Sequence, residues 1–149
     1  MRGTTDTLRL LQLETSSRPR ELVTIARLLH DASDRVIDDA RRRSLAILVI
    51  APNDEVFVSR VHVVFIFATM LGSAIEQTPA GGRLAITGHE VERELSVAVY
   101  APGRPQPGSS AADDIARIHA EALGGRFWRS RAADGTLAMF VLPLYLDEN

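Results

Sequence analysis

Residues 60–82, RVHVVFIFATMLGSAIEQTPAGG, contain the segment on which the fold reading turns. Val61, Val64, Phe65, Ala68, Met70, Leu71, Ala74 and Ile75 leave almost no polar flank, so the spacing predicts a helix from Arg60 to Thr78 buried on nearly every side. Ser59 can cap its start, and Pro79 stops it before the Gly81-Gly82 turn. A helix with so little polar surface must lie between other elements, and the flanking sequence offers them on both sides.

Toward the N-terminus, Pro52, Asn53 and Asp54 form a turn between two predicted strands, residues 45–51 and 56–58. The first of these is apolar throughout and rich in β-branched residues, so at least one face is covered. Leu22, Ile25, Leu28, Leu29, Ala32, Val36, Ile37 and Ala40 recur at three and four residues, predicting an amphipathic helix over 19–43. Leucines at 8, 10, 11 and 13 suggest a short edge strand or extended lead-in over 8–14, separated from that helix by a break at Ser16, Ser17, Arg18 and Pro19.

Toward the C-terminus, alternation predicts strands over 84–87 and 95–100. The Pro- and Gly-rich stretch 101–110 reads as a long loop that can be neither helix nor central strand. Ser109 or Ser110 can cap a helix over 111–123, with Ala112, Ile115, Ile118 and Ala122 on its inner side and Gly124-Gly125 at its end. Two last strands, 127–130 and 137–143, are joined through a turn at 132–135. Of the neighbouring Phe127 and Trp128, one must face the core and the other the surface, where it hints at partner contact.

Adjacent strands without a crossover helix exclude a doubly wound sheet. The expected class is α+β, a two-layer α/β sandwich in which a mixed, largely antiparallel sheet packs against three helices. One domain over 8–144 is expected, with a flexible N-terminus at 1–7 and a short tail at 145–149.

Composition closes off several function classes. A chain of 149 residues with 46% hydrophobic content suits one domain that folds by packing alone. Without cysteine there are no disulfides, no thiolate catalysis and no Cys-ligated metal centre. Lys+Arg at 17 nearly balance Asp+Glu at 19, and the Arg41-Arg42-Arg43 run follows a helix, where cations complement the dipole, so nucleic acid is not the expected partner. His30, His62, His89 and His119 are scattered without metal-binding spacing, and no metal is expected. Residues 1–8 lack a secretory pattern and the apolar stretch 61–75 is too short to span a bilayer, so no direct membrane insertion and a cytoplasmic location are expected.

Four stretches carry a resemblance to a known family, in order and at suitable spacing. Residues 73–82, SAIEQTPAGG, are similar to "NAIKYTPEGG"; 97–105 stand where a strand and a "DxGxG" turn would be; 120–128 are similar to "VEAHGGRIW"; and Gly135-Thr136 with Phe140-Val141-Leu142-Pro143 are similar to "GTxFxxxLP". Together they resemble the ATP-binding domain of sensor histidine kinases, with the Bergerat or GHKL fold shared with DNA gyrase and MutL proteins.

The resemblance implies an ATP and magnesium site, yet the positions that would form it depart from the family pattern. Ser73 and Thr69 stand where the family has asparagines, Phe65 where it has an acidic residue or histidine, and Glu76 where it has Lys or Arg. A hydroxyl is a poorer magnesium ligand than an amide carbonyl or carboxylate, and Glu76 would repel a triphosphate. Ala101 replaces the Asp that would read the adenine amino group, and Pro105 replaces a glycine of the same turn. The glycine-rich lid falls at Ser110-Ala111-Ala112-Asp113, where Cβ atoms and a carboxylate oppose close approach of phosphate.

The residues have plainer readings as well. Thr69 and Ser73 can back-bond to helix carbonyls, Glu76 can be a solvated residue near a helix end, and Asp113 can complement the dipole. His30, next to Asp31, superficially suggests a phosphoacceptor but lies inside the first helix of the ATPase-like domain. The expectation is a noncatalytic pseudo-ATPase regulatory or adaptor domain without cofactor, a pseudokinase acting by contact with a signalling protein such as a histidine kinase or response regulator in a bacterial two-component system. The alternative is a divergent ATP-binding domain of a sensor histidine kinase, using ATP and Mg2+ with Thr69, Ser73, Gly103, Ser110, Gly135 and Thr136 around the nucleotide.

Overall fold

Thr24 decides where the first helix begins. In the computed structural model, which describes residues 20–103 and 110–144, Thr24 is extended and its hydroxyl accepts from the Arg27 amide at 3.1 Å. The Ile25 and Ala26 amides donate to the Asp54 and Pro52 carbonyls. Helix α1 therefore runs Ile25–Arg42 rather than from residue 19, and Glu21–Thr24 form a strand, β1. This corrects the sequence expectation. Leu22 and Ile25 are three apart, which suits a helix, but β1 pairs antiparallel with β3 (Glu55–Val58), burying Val23 and leaving Leu22 64% exposed. The edge strand or lead-in expected at 8–14 and the segments 1–7 and 145–149 lie outside the described residues.

At the other end of α1, Ser44 takes the left-handed conformation (φ 55°) and the Leu45 amide reaches back to the Ala40 carbonyl, closing the helix in Schellman fashion. The chain then enters β2 (Ala46–Ile50). After β3, helix α2 (Arg60–Gln77) starts where expected and ends one residue earlier, Thr78 being an extended C-cap. Ser59 does not cap it, because its hydroxyl hydrogen-bonds His62 Nδ1 at 2.6 Å instead.

Strands β4 (Arg83–Val91) and β5 (Glu94–Pro102) form a hairpin whose turn residues, Glu92 and Arg93, both have positive φ. Helix α3 (Ala111–Ala122) precedes the hairpin of β6 (Arg126–Ala132) and β7 (Gly135–Pro143). The sheet order is β2-β4-β5-β7-β6, with β2 parallel to β4 and every other pair antiparallel. Ala101 and Pro102, expected in a loop, end the central strand β5, paired with Thr136 and Gly135. Proline is tolerated there because it closes the strand. Residues 104–109 of the expected loop lie outside the described residues.

All three helices lie on one face of the sheet, giving the expected α+β two-layer sandwich. Leu28, Leu29, Ile66, Phe67 and Leu71 meet Leu84, Ile86, Val97 and Phe140 in a fully buried core, where Phe67 and Phe140 pack edge to face at 5.2 Å. Helix α3 is rotated from its expected orientation. Asp113, Ala116 and Ala120 face inward, whereas Ile115 is 42% exposed. Small residues let α3 approach closely, and a charged anchor at Asp113 fixes which side turns in.

Candidate functional site

That anchor belongs to a chain of polar contacts linking α2, α3 and β6. On α2, Ser73 and Gln77 are one turn apart, and the Gln77 amide donates to the Ser73 hydroxyl at 3.1 Å. Gln77 Oε1 accepts from Arg129 Nη2 at 3.3 Å. The other guanidinium nitrogen, Nη1, meets Asp113 Oδ2 at 2.6 Å, with the two side chains 16% and 3% exposed. Asp113 and Ser110 complete a capping box, the Ser110 hydroxyl accepting from the Asp113 amide and the carboxylate accepting from the Ser110 amide.

Beneath this network Ser73, Gln77, Ala101, Asp113, Arg129 and Thr136 surround a cavity of about 10 Å³. That is about the least space that holds one water. Asp113 is negative where a phosphate would need positive charge, and the guanidinium of Arg129 is already engaged by that carboxylate. Ala101, 5% exposed, offers the space only a methyl group. This cavity is far smaller than a nucleotide, and no group of three or more His, Cys, Asp or Glu able to hold a metal occurs among the described residues.

The residues expected around a nucleotide fall into different places. Ser73 and Thr136 share the small cavity, and Ser110 reaches it through Asp113. Thr69 back-bonds to the Phe65 carbonyl at 2.9 Å, as its plain reading has it, and faces an open groove of about 480 Å³ with Gly72, Ser73, Glu76, Asp39 and Arg42. Ser73 does not back-bond but accepts from Gln77. Gly103, in the left-handed region at φ 109°, sits against Pro79 and donates to the Asp134 carbonyl. Gly135 is a packing residue, since a Cβ there would stand 2.1 Å from the Ala101 carbonyl oxygen.

Gln77 and Arg129 were not singled out from sequence. The signal for Arg129 was its alternation with Phe127, which turns both toward the helices and demands a buried carboxylate for the guanidinium. Phe127 is the buried member of its pair and Trp128 the exposed one. Glu76 and His30 are exposed, whereas His62 is buried against Ser59. Phe65 is 38% exposed and its ring lies 4.7 Å from that of His119; Val61, one turn earlier on α2, and Ile115, one turn earlier on α3, are exposed as well. Arg43 donates to the Thr78 carbonyl at 2.8 Å, tying the end of α1 to the end of α2.

No protein-family model matches the chain, and no curated protein sequence matches it. Solved structures do. An Acinetobacter baumannii histidine kinase, AdeS, aligns with a TM-score of 0.76 at 16% identity over 96% of this chain and 76% of its own. The histidine kinase ThkA, solved in complex with the response regulator TrrA, aligns at 0.75 and 18% identity over 97% of this chain and 48% of its own. A mycobacterial sensor histidine kinase, MprB, aligns at 0.67 and 21% identity over 84% of this chain and 97% of its own. The fold is that of histidine-kinase ATPase domains. No helix among the described residues is long and apolar enough to cross a membrane.

Proposed function

We propose that this domain is a noncatalytic regulatory or adaptor module of signal transduction, a pseudo-ATPase that works by contact with another protein. The observation that carries this reading is the Ser73–Gln77–Arg129–Asp113 network, which occupies with the chain's own charges the space between α2, α3 and the sheet and leaves about 10 Å³. A buried carboxylate next to that space disfavours a polyphosphate, and Ala101 has no group with which to read adenine.

An apolar surface suits the contact role. Phe65 is exposed against His119 of α3, with exposed Val61 one turn before it on α2 and exposed Ile115 one turn before His119 on α3, apolar side chains available to a partner with a complementary apolar surface. A histidine kinase or response regulator is the partner class the fold suggests, and ThkA was solved with a response regulator bound.

The alternative is a divergent ATP-binding domain of a histidine kinase. It is favoured by the fold itself and by the open groove beside Thr69, Ser73 and Arg42. Titration calorimetry of the full chain with ATP, ADP and a nonhydrolysable analogue, each with magnesium, separates the two. The proposal expects no saturable heat up to millimolar nucleotide, and saturable binding in the low micromolar range would overturn it.

A further inference from the structure

The helices cover one face of the sheet, and among the described residues nothing covers the other. On that open face Ile50, Thr87, Ala98, Met139 and Trp128 stand in one cross-strand row, and Leu48, Ala85, Tyr100, Leu137 and Ser130 stand in the next. Leu48 is 48% exposed, Ile50 52% and Trp128 38% with the Arg126 guanidinium over its ring, Ser130 is exposed, and the others are half-buried. A solvated face of an antiparallel sheet ordinarily alternates to polar residues, whereas these two rows hold only Thr87 and the edge residue Ser130 as hydroxyl-bearing side chains besides the tyrosine. Such a face marks a contact surface.

The charges around it indicate the occupant. Arg83 precedes Thr87 by four residues on β4, and Val91 follows Thr87 by four and pairs with Glu94 on β5. Arg83, Val91 and Glu94 therefore share the open face, with Arg83 at one end of the central strands and Glu94 at the other; the same face also carries His89 on β4 and, at the β6 edge three strands from β4, Arg126 stacked on Trp128. A twofold axis running across the strands along the Ile50–Trp128 row would reverse strand direction between two copies. Arg83 of each copy would then come level with Val91 and Glu94 of the other, one strand spacing from the carboxylate and across a sheet separation of about 10 Å, within an arginine's reach. The interface would be self-complementary, apolar in the middle with two symmetry-related ion pairs at its ends.

We infer that the open face of the sheet is a docking surface for a second copy of this chain, packed face to face with strands antiparallel. Five strands about 4.8 Å apart and roughly 25 Å long give a face that would bury on the order of 1,200 Å² across both copies, the lower limit of a stable interface. The dimer is therefore a reversible one in the micromolar range. This inference does not depend on whether the domain binds nucleotide.

Sedimentation velocity of the full chain from about 1 to 300 μM tests it, with circular dichroism melts to establish that each variant is folded. The wild type is expected to pass from monomer to dimer across the range, and Ile50→Lys should weaken association at least about tenfold by placing a charge in the apolar row. Arg83→Glu and Glu94→Arg should each weaken it about fivefold, and the double exchange should return it to within about twofold of the wild type. The exchange carries the test even if Ile50→Lys perturbs folding. A chain that stays monomeric throughout, or a double exchange no tighter than the single variants, overturns the inference.

Discussion

Replacing Arg129 by methionine should destabilise the domain more than replacing Arg129 and Asp113 together. Methionine keeps the apolar stem of arginine and removes its charge, leaving the Asp113 carboxylate 3% exposed and held by the Ser110 amide at 3.4 Å. Removing one partner of a buried pair costs about 3–5 kcal/mol, and because Arg129 is 16% exposed some water can reach the site, so we place the loss near the lower figure. In the double variant, Asp113→Asn with Arg129→Met, no charge is buried and the amide oxygen can still accept from Ser110. Its loss should be about 1 kcal/mol. Urea unfolding followed by far-UV circular dichroism and by Trp128 fluorescence measures each term. In a chain of this size the single change should lower Tm by roughly 6–12 °C. The reasoning is refuted if Arg129→Met lies within about 1 kcal/mol of wild type, or if the double variant loses as much as the two single changes added.

Three further outcomes are expected. Gly135→Ala should cost at least about 3 kcal/mol or prevent folding, read from soluble yield and melting, because its Cβ would lie 2.1 Å from the Ala101 oxygen and β5 cannot retreat. Ser44→Gly, and separately Glu92→Asn with Arg93→Gly, should each stabilise the chain by about 0.5–1 kcal/mol, because non-glycine residues now hold left-handed positions there. Ser110→Ala should remove about 1 kcal/mol and speed amide exchange in the first turn of α3, where the capping box is lost.

The order of elements was legible because apolar spacing is a local property. Residues 60–78 and 111–123 read as helices, and the strands after Pro79 followed from alternation and turn residues. The β4–β5 turn carries no glycine or asparagine, so Glu92 and Arg93 gave no hairpin signal. β1 was hidden because Leu22 fits both a helical and a strand period, and only pairing with β3 selects the strand. The departures at Ala101, Ser73 and Ser110–Asp113 were visible as residue types. The polar network beside those positions was not, because Gln77, Asp113 and Arg129 come from three elements and meet only once α3 turns its Asp113 inward. The face of α3 was misjudged for the same reason. A count of apolar residues favours Ile115, whereas a buried ion pair outweighs one isoleucine in fixing the rotation.

In the five-stranded sheet, β2 alone runs parallel to its neighbour, and it is held along one edge by β4. Hairpins β4–β5 and β6–β7 close through short turns and can form within microseconds, whereas β2 must wait until β3 and α2 have folded back between it and its partner. The strand that joins late is also the one with least to lose on leaving. Thermal opening of the sheet should therefore start at residues 46–50, whose amides exchange with solvent long before those of the doubly flanked β5, and a protease sampling the native sheet gains its first purchase there.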